Sequence, residues 1–482
     1  MSMKGHHPTP PTLAEQMTRR LFENNLPTGG QRILYPGCGA KAPFAGEVER
    51  ICEEEGWPLP EGLAVENDPE LLRQAESLGL CHVSVQERDF LGSGMEEIGE
   101  EVRFDYVLGN PPYVPIEGLS EEEKAQYRSN FRAAEGRFDL YLLFFERALS
   151  LLARGGRLTF VTPEKWEYVR AARPLRDIVT SGDFQVEEIR HIDADAFPEL
   201  ITFPSVTTIR RKGEEGSLNR SAENGNRGSG AQAPETVVRL RDGSVHRAIL
   251  PTGGESWAAS IRNKDLSGME TGLTLGDVAT RVSPGMATGA DAVFVFDREE
   301  VPDGLAPKWT YPTVSGEELT TGGATDPKSV FVCPYRENGT LPPETEIGAF
   351  GKWASQHRER LEDRSCVQKA GKQWYAWHET PPMEDLLRQK IVFKDIAREP
   401  KFWAEPTGEI VPRHTVYYVV PEAEVSLEKL LDYLNSPSAK EWMAANCQRA
   451  ANGFLRLQSR VLKKLPVPTE VARERQGALP MQ

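Results

Sequence analysis

The sequence predicts an α/β first half, a largely parallel sheet covered by helices on both faces, followed by a mixed α+β C-terminal domain. Three observations predict this. Between positions 31 and 211, short apolar runs such as "RILYPG", "GLAVEND" and "FDYVLGN" alternate with longer amphipathic stretches, the pattern of strands joined by crossover helices. Residues 212–235 almost lack large apolar side chains and are rich in Gly, Ser, Asn and Glu, which marks a flexible loop. From about Leu273 the chain changes to short strands with many prolines and tryptophans. Its 482 residues suffice for two or three domains. The expected boundaries are 1–250 and 270–482.

Composition narrows the class further. A formal net charge of −15 argues against a generic polyanion binder but leaves room for a local basic face. Six scattered cysteines include no C-x-x-C pair, and no histidine cluster has ligand spacing, so neither a disulfide framework nor a metal site is expected. No apolar run reaches the roughly 18 residues that span a bilayer. The start, "MSMKGHHPTPPT", lacks the order of a secretion signal. A cytoplasmic protein with no membrane partner is expected.

In an open α/β sheet, ligands bind beyond the carboxyl ends of the strands, so the residues ending each strand matter most. The first strand ends in "YPGCG", where Gly37 and Gly39 let the backbone approach a ligand; taken alone, a tight turn holding nothing fits equally well. The second ends at Glu66, an acid that can accept two ribose hydroxyls, while the following "NDPE" also reads as a helix cap. The third ends in Asp89-Phe90, one polar and one stacking side chain, or simply a capped turn.

The fourth strand ends in "VLGNPPYVP". Asn-Pro usually means a turn, but here it directly follows an apolar strand at the ligand edge. Pro111 and Pro112 lock the backbone and donate nothing, so neighbouring carbonyls and the Asn110 amide oxygen stand as acceptors in fixed directions. Tyr113 adds an aromatic face. Such an array suits a planar exocyclic amine, whose nitrogen becomes nucleophilic as both hydrogens are accepted.

At this stretch the sequence resembles the gamma-class N6-adenine DNA methyltransferases, the TaqI-like group of restriction-modification methylases. "HHPTPPTLAEQM" is similar to their opening motif, which implies that Thr9 and Pro10 help to hold the methionine end of S-adenosyl-L-methionine. "YPGCG", Glu66 and Asp89-Phe90 are similar to the glycine, ribose and adenine motifs. "GRFDLYLLFFERALSLLARGGRLTFVTP" is typical of the group, and "AFPELITFPSVTTI" resembles a later motif that implies Phe197 opposite Tyr113 across a flipped base. The chain departs from the group at Tyr35, where an acid commonly binds the cofactor ammonium; a tyrosine there supplies a hydroxyl without charge.

The resemblance implies a Rossmann-like class I S-adenosylmethionine-dependent methyltransferase domain, then a target-recognition domain acting on double-stranded DNA, with any restriction endonuclease on a separate chain. Alternatives are a catalytically silent DNA-recognition subunit, or a methyltransferase acting on RNA or protein nitrogens. In the second half, "VSPGMATGADAVFVFD", with Gly285, Thr288, Gly289 and Asp291, resembles the start of the recognition domain. "KIVFKDI" and "TVYYVVP" alternate as half-buried strands, and "SLEKLLDYLNSPSAKEWMAAN" reads as helical. Lys440, Arg449, Arg456, Arg460, Lys463 and Lys464, with Arg398, Lys401 and Arg413, form a local basic set able to hold phosphates or simply a solvated face.

Overall fold

The computed structural model describes residues 7–92, 102–197, 203–213, 234–263, 272–305, 307–319, 327–449 and 453–472. The loop expected at 212–235 falls almost wholly outside them. Two compact units divide the chain, Met1–Asn263 and Lys264–Gln482.

In the first unit, helix α1 (Pro11–Phe22) precedes β1 (Arg32–Pro36), α2 (Pro43–Glu55), β2 (Glu61–Glu66), α3 (Pro69–Glu76), β3 (Val83–Glu87) and β4 (Phe104–Gly109). Then come α4 (Glu121–Asn130), α5 (Leu140–Leu151), β5 (Leu152–Pro163), α6 (Arg173–Thr180), β6 (Phe184–His191) and β7 (Pro204–Arg211). A hairpin, β8 (Glu235–Arg239) and β9 (Val245–Ile249), follows. The helix starts are chemically explicit. Asp68 caps α3 by accepting from the Glu70 and Leu71 amides at 2.8 and 3.1 Å, and Ser120 forms a reciprocal capping box with Glu123 on α4.

One nine-stranded sheet runs β3-β2-β1-β4-β5-β7-β6-β8-β9. Strands β1 to β5 pair in parallel, and β7 lies antiparallel between β5 and β6. This is the class I S-adenosylmethionine-dependent methyltransferase architecture. Residues 241–244, "RDGS", turn the hairpin, which lengthens the main sheet through β6.

Period-two alternation divides the sheet between two cores. Leu34, Val65, Val107 and Leu158 meet α5 and α6 through Phe145, Ala148 and Leu175. Ile33, Tyr35, Ala64, Tyr106 and Leu108 meet α1 and α2 through Leu13, Met17, Phe44 and Val48. A parallel sheet buried on both faces needs these near-continuous apolar strands.

The second unit is built on a four-stranded antiparallel sheet made from β10 (Ala279–Pro284), β14 (Lys390–Lys394), β16 (Phe402–Glu405) and β17 (Val416–Pro421). A three-stranded sheet combines β11 (Val295–Asp297), β12 (Thr310–Thr313) and β13 (Ser329–Val332); another combines β15 (Ile396–Ala397), β18 (Gln448–Arg449) and β19 (Leu455–Arg456). Strands β14 and β17 are buried at nearly every position rather than on alternate ones, because both of their faces pack into apolar clusters. Even Lys390 is enclosed, its ammonium paired with Glu405. The long helical stretch is two helices, Leu427–Leu434 and Pro437–Asn446, since Pro437 begins a new first turn capped by Ser436.

Gly285 sits where backbone meets backbone. A Cβ there would come within 2.4 Å of the carbonyl oxygens of Pro412 and Arg413. Gly285→Ala is therefore expected to destabilise the second unit by about 2–3 kcal/mol, read as a lower midpoint in thermal or urea unfolding; an unchanged midpoint contradicts this packing.

Candidate active site

Beyond the carboxyl ends of β1, β2, β3 and β4 lies a cavity of about 420 Å³, within the range typical of small-molecule sites. Gly37, Glu66, Asp89, Phe90, Asn110 and Pro112 all line it. Six residues singled out from four separate strand ends thus share one space.

The glycine turn is shaped by its backbone. Gly37 and Gly39 have φ of +63° and +64°, the left-handed region open to glycine at little cost, and the Gly37 and Cys38 amides bond to the Val65 carbonyl at 2.9 and 3.2 Å. Glu66 is buried, and its carboxylate accepts from the Gly39 amide at 3.0 Å and from the Asn67 and Asp68 amides at 3.0 and 3.2 Å. It therefore ties the glycine turn to the end of β2 while lining the cavity. Asp68 caps the helix, one of the two readings of this stretch, and Glu66 lines the cavity.

Phe90 is buried and packs against Phe144 of α5, with ring centroids 4.9 Å apart and planes inclined by 39°. Phe144 also lies below Gly37, where a Cβ would meet its ring at 3.7 Å. Asp89 is exposed at the cavity wall, and its carboxylate accepts from the Leu91 amide at 3.0 Å.

At the end of β4, the Asn110 Nδ2 donates to the His7 carbonyl at 2.7 Å and to Thr9 Oγ1 at 3.1 Å. A backbone carbonyl only accepts, so this contact fixes which end of the carboxamide is nitrogen. The opposite end, Oδ1, is buried and has no hydrogen-bond partner. An orphaned acceptor of this kind costs about 1–3 kcal/mol, a cost that a ligand's N–H can remove. Pro111 is buried beside it. Tyr113 is half-buried, with its hydroxyl donating to the Val161 carbonyl at 3.2 Å and its ring 5.5 Å from His7. Burial raises the tyrosine pKa well above its ordinary value, so the hydroxyl stays neutral.

Other expected positions fall elsewhere. Thr9 is buried and meets Asn110, while Pro10 caps α1, its carbonyl accepting from the Leu13 and Ala14 amides. The expectation that Tyr35 serves the cofactor is corrected. Its side chain belongs to the α1/α2 face of the sheet, is 1% exposed, and its hydroxyl lies 3.2 Å from His82 Nε2, at the amino end of β3. The cavity opens on the opposite face, beside Val65 and Phe144. Phe197 is 4% exposed and packs in the α1/α2 core, whereas Tyr113 packs against the other core.

The cavity also takes Leu71 and Arg88, Glu123 and Tyr127 of α4, and Leu140 and Phe144 of α5, none of which the motifs singled out. Their signal lies in order along the chain: α4 and α5 follow the Asn-Pro-Pro-Tyr turn and must cross back over the strand ends. The residues present fit an adenosine-bearing cofactor, with an acid at ribose depth, an aromatic wall and an amine acceptor beyond a close-approach turn. No acid of β1 stands ready for an ammonium group.

Known proteins resemble two segments of this chain. Residues 67–197 match the Eco57I restriction-modification methylase model, and residues 349–467 match the TaqI-like C-terminal specificity domain. The chain is 28% identical over 383 residues to the type II methyltransferase M.PaeR7I of Pseudomonas aeruginosa, a match covering 76% of this chain and 65% of that protein. It is 26% identical over 414 residues to M.XhoI of Xanthomonas vasicola, covering 82% of this chain and 73% of the relative. Among solved structures, the type IIL restriction-modification enzyme MmeI, determined with DNA, superposes with a TM-score of 0.61 at 11% identity, over 95% of this chain and 64% of that one.

Two substitutions test the site. Glu66→Gln removes the charge but keeps the shape, and is expected to weaken S-adenosylmethionine about 10- to 100-fold by calorimetric titration. Tyr35→Phe is expected to leave that affinity unchanged; the reverse pattern contradicts the geometry described. With its strand order and its strand-end cavity, the chain carries a segment similar to Eco57I-like restriction-modification methylases, residues 67–197, followed by one similar to the TaqI-like C-terminal specificity domain, residues 349–467.

Proposed function

We propose that this chain is a site-specific DNA methyltransferase that moves the methyl group of S-adenosylmethionine to the exocyclic N6 amine of an adenine turned out of duplex DNA. The observation that carries the reading is the buried, unpartnered Oδ1 of Asn110, a residue that lines the cavity together with Gly37 and Glu66. The cofactor supplies a methyl group on an electron-poor sulfonium. Asn110 Oδ1 and an adjoining carbonyl of the Pro111-Pro112 turn accept the two amine hydrogens, drawing the nitrogen lone pair out of conjugation. As the amine becomes positive in the transition state these acceptors strengthen, so they lower the barrier more than they stabilise the bound base.

Stacking of the base falls to Tyr113, whose ring is held by the Val161 carbonyl and by edge contact with Tyr141 at 6.0 Å. A matching role for Phe197 requires its ring to leave the core in which it packs. Base flipping is needed because a stacked adenine cannot present N6 to a cavity this deep.

The second unit is assigned the reading of the site. Arg449 and Arg456 are exposed on the small sheet, where Arg456 pairs in register with Ile396 and Gln448. Arg460, Lys463 and Lys464 are exposed on the segment that follows. These cations are the proposed phosphate contacts. Lys440 and Arg413 are already engaged with Glu399 and Glu318, at 2.7 and 2.9 Å, and contribute less. A separate restriction endonuclease as partner belongs to the same proposal.

Expression in a host free of adenine methylation, followed by long-read mapping, is expected to reveal N6-methyladenine within one consistent sequence. Soluble, folded protein that leaves the DNA unmodified contradicts the reading and favours a silent recognition subunit. Asn110→Ala is expected to lower the transfer rate by about 10²- to 10³-fold with cofactor affinity retained; comparable turnover contradicts the role of its oxygen.

A further inference from the structure

Away from the cavity, at the amino end of the parallel strands, three side chains converge that no sequence spacing connects. Glu49 comes from α2, and Cys81 and His82 immediately precede β3, the outermost strand of the sheet. One carboxylate oxygen, the Cys81 Sγ and a ring nitrogen of His82 all lie within 4.8 Å of one another, the one such group of three among the described residues. Cys81 donates through its thiol to Glu49 Oε1 at 2.8 Å, and His82 Nδ1 lies 3.9 Å from Glu49 Oε2.

The histidine carries the argument. Its side chain is only 3% exposed, yet Nδ1 is buried without a hydrogen-bond partner. Its other nitrogen, Nε2, lies 3.2 Å from the Tyr35 hydroxyl, with the two rings edge to face. A ring held at Nε2 by an outer group, with Nδ1 aimed at a thiol and a carboxylate, is how proteins orient a metal-ligating imidazole.

We propose that Glu49, Cys81 and His82 form a binding site for a borderline-soft divalent cation, Zn²⁺ above all, clamping α2 to the edge of the sheet. Sulfur, imidazole nitrogen and carboxylate oxygen together suit zinc at bond lengths of about 2.0–2.3 Å. Small side-chain rotations bring the three atoms to that distance from a common centre. Exposure of Cys81 leaves the fourth, tetrahedral position to water. Binding replaces the thiol proton that now faces Glu49, so the ion enters as Zn²⁺ and one proton leaves to solvent. The role is structural, since the methylase cavity opens at the other end of the strands.

The test uses the full chain stripped of metal by a chelator and titrated with Co²⁺ and then Zn²⁺. The expected result is a thiolate-to-cobalt charge-transfer band that Zn²⁺ abolishes, and a rise in melting temperature with Zn²⁺. Cys81→Ser and Glu49→Gln should each weaken Zn²⁺ at least about tenfold, and Tyr35→Phe by about tenfold through loss of ring orientation, while S-adenosylmethionine titrates as in the parent. Should a variant fail to fold, the parent alone decides: calorimetry in two buffers of different ionisation heat should show about one proton released per ion. Absence of the charge-transfer band, release of no proton, or parent-like Zn²⁺ affinity in Cys81→Ser overturns the assignment.

Discussion

The orientation of one carboxamide governs the proposed active centre. Asn110 can donate through its nitrogen and accept through its oxygen, and the chain near the N-terminus commits the nitrogen side by placing the His7 carbonyl and Thr9 hydroxyl against it. What remains is a buried acceptor with no protein partner. A 180° turn of the side chain would set oxygen against oxygen at His7, so the arrangement holds one orientation. The two prolines that follow carry no backbone N–H, so neither can donate to Oδ1. His7 and Thr9 thereby set the polarity of a side chain about a hundred positions away.

Around this centre the sheet supplies register. Parallel pairing of β1 with both β2 and β4 brings the glycine turn, Glu66 and Asn110 to one edge, and the Glu66 carboxylate then ties that turn to its neighbouring strand. Phe144 supports the same turn from the next layer. Loss of any of these contacts reshapes the cavity without touching the reacting groups.

Much of this is legible in the sequence because strand ends in an α/β sheet are marked by apolar runs stopping at Gly, Asp, Glu or Asn-Pro. The α/β order and the strand-end cavity residues follow from that pattern. Tyr35 was harder to place. Motif position puts it at the cofactor, but alternation along β1 puts its side chain on the face opposite Leu34, and the side chain follows the alternation. Phe197 likewise obeys core packing. The family-like stretch 136–163 contains α5 without singling out Leu140 or Phe144, and α4 carries no motif, since which of their side chains reach the cavity depends on how the helices cross the strand ends. The Glu49, Cys81 and His82 group is invisible to spacing for the same reason: 32 residues separate Glu49 from Cys81, and only the packing of α2 beside β3 joins them.

The central claim is most directly tested by a crystal structure of the protein with duplex DNA and a non-reactive analogue of the cofactor. The account predicts an extrahelical adenine whose N6 lies about 2.9 Å from Asn110 Oδ1, with Nδ2 still bound to His7 and Thr9. An Oδ1 bonded to protein instead, or a target base seated away from Asn110, would contradict it.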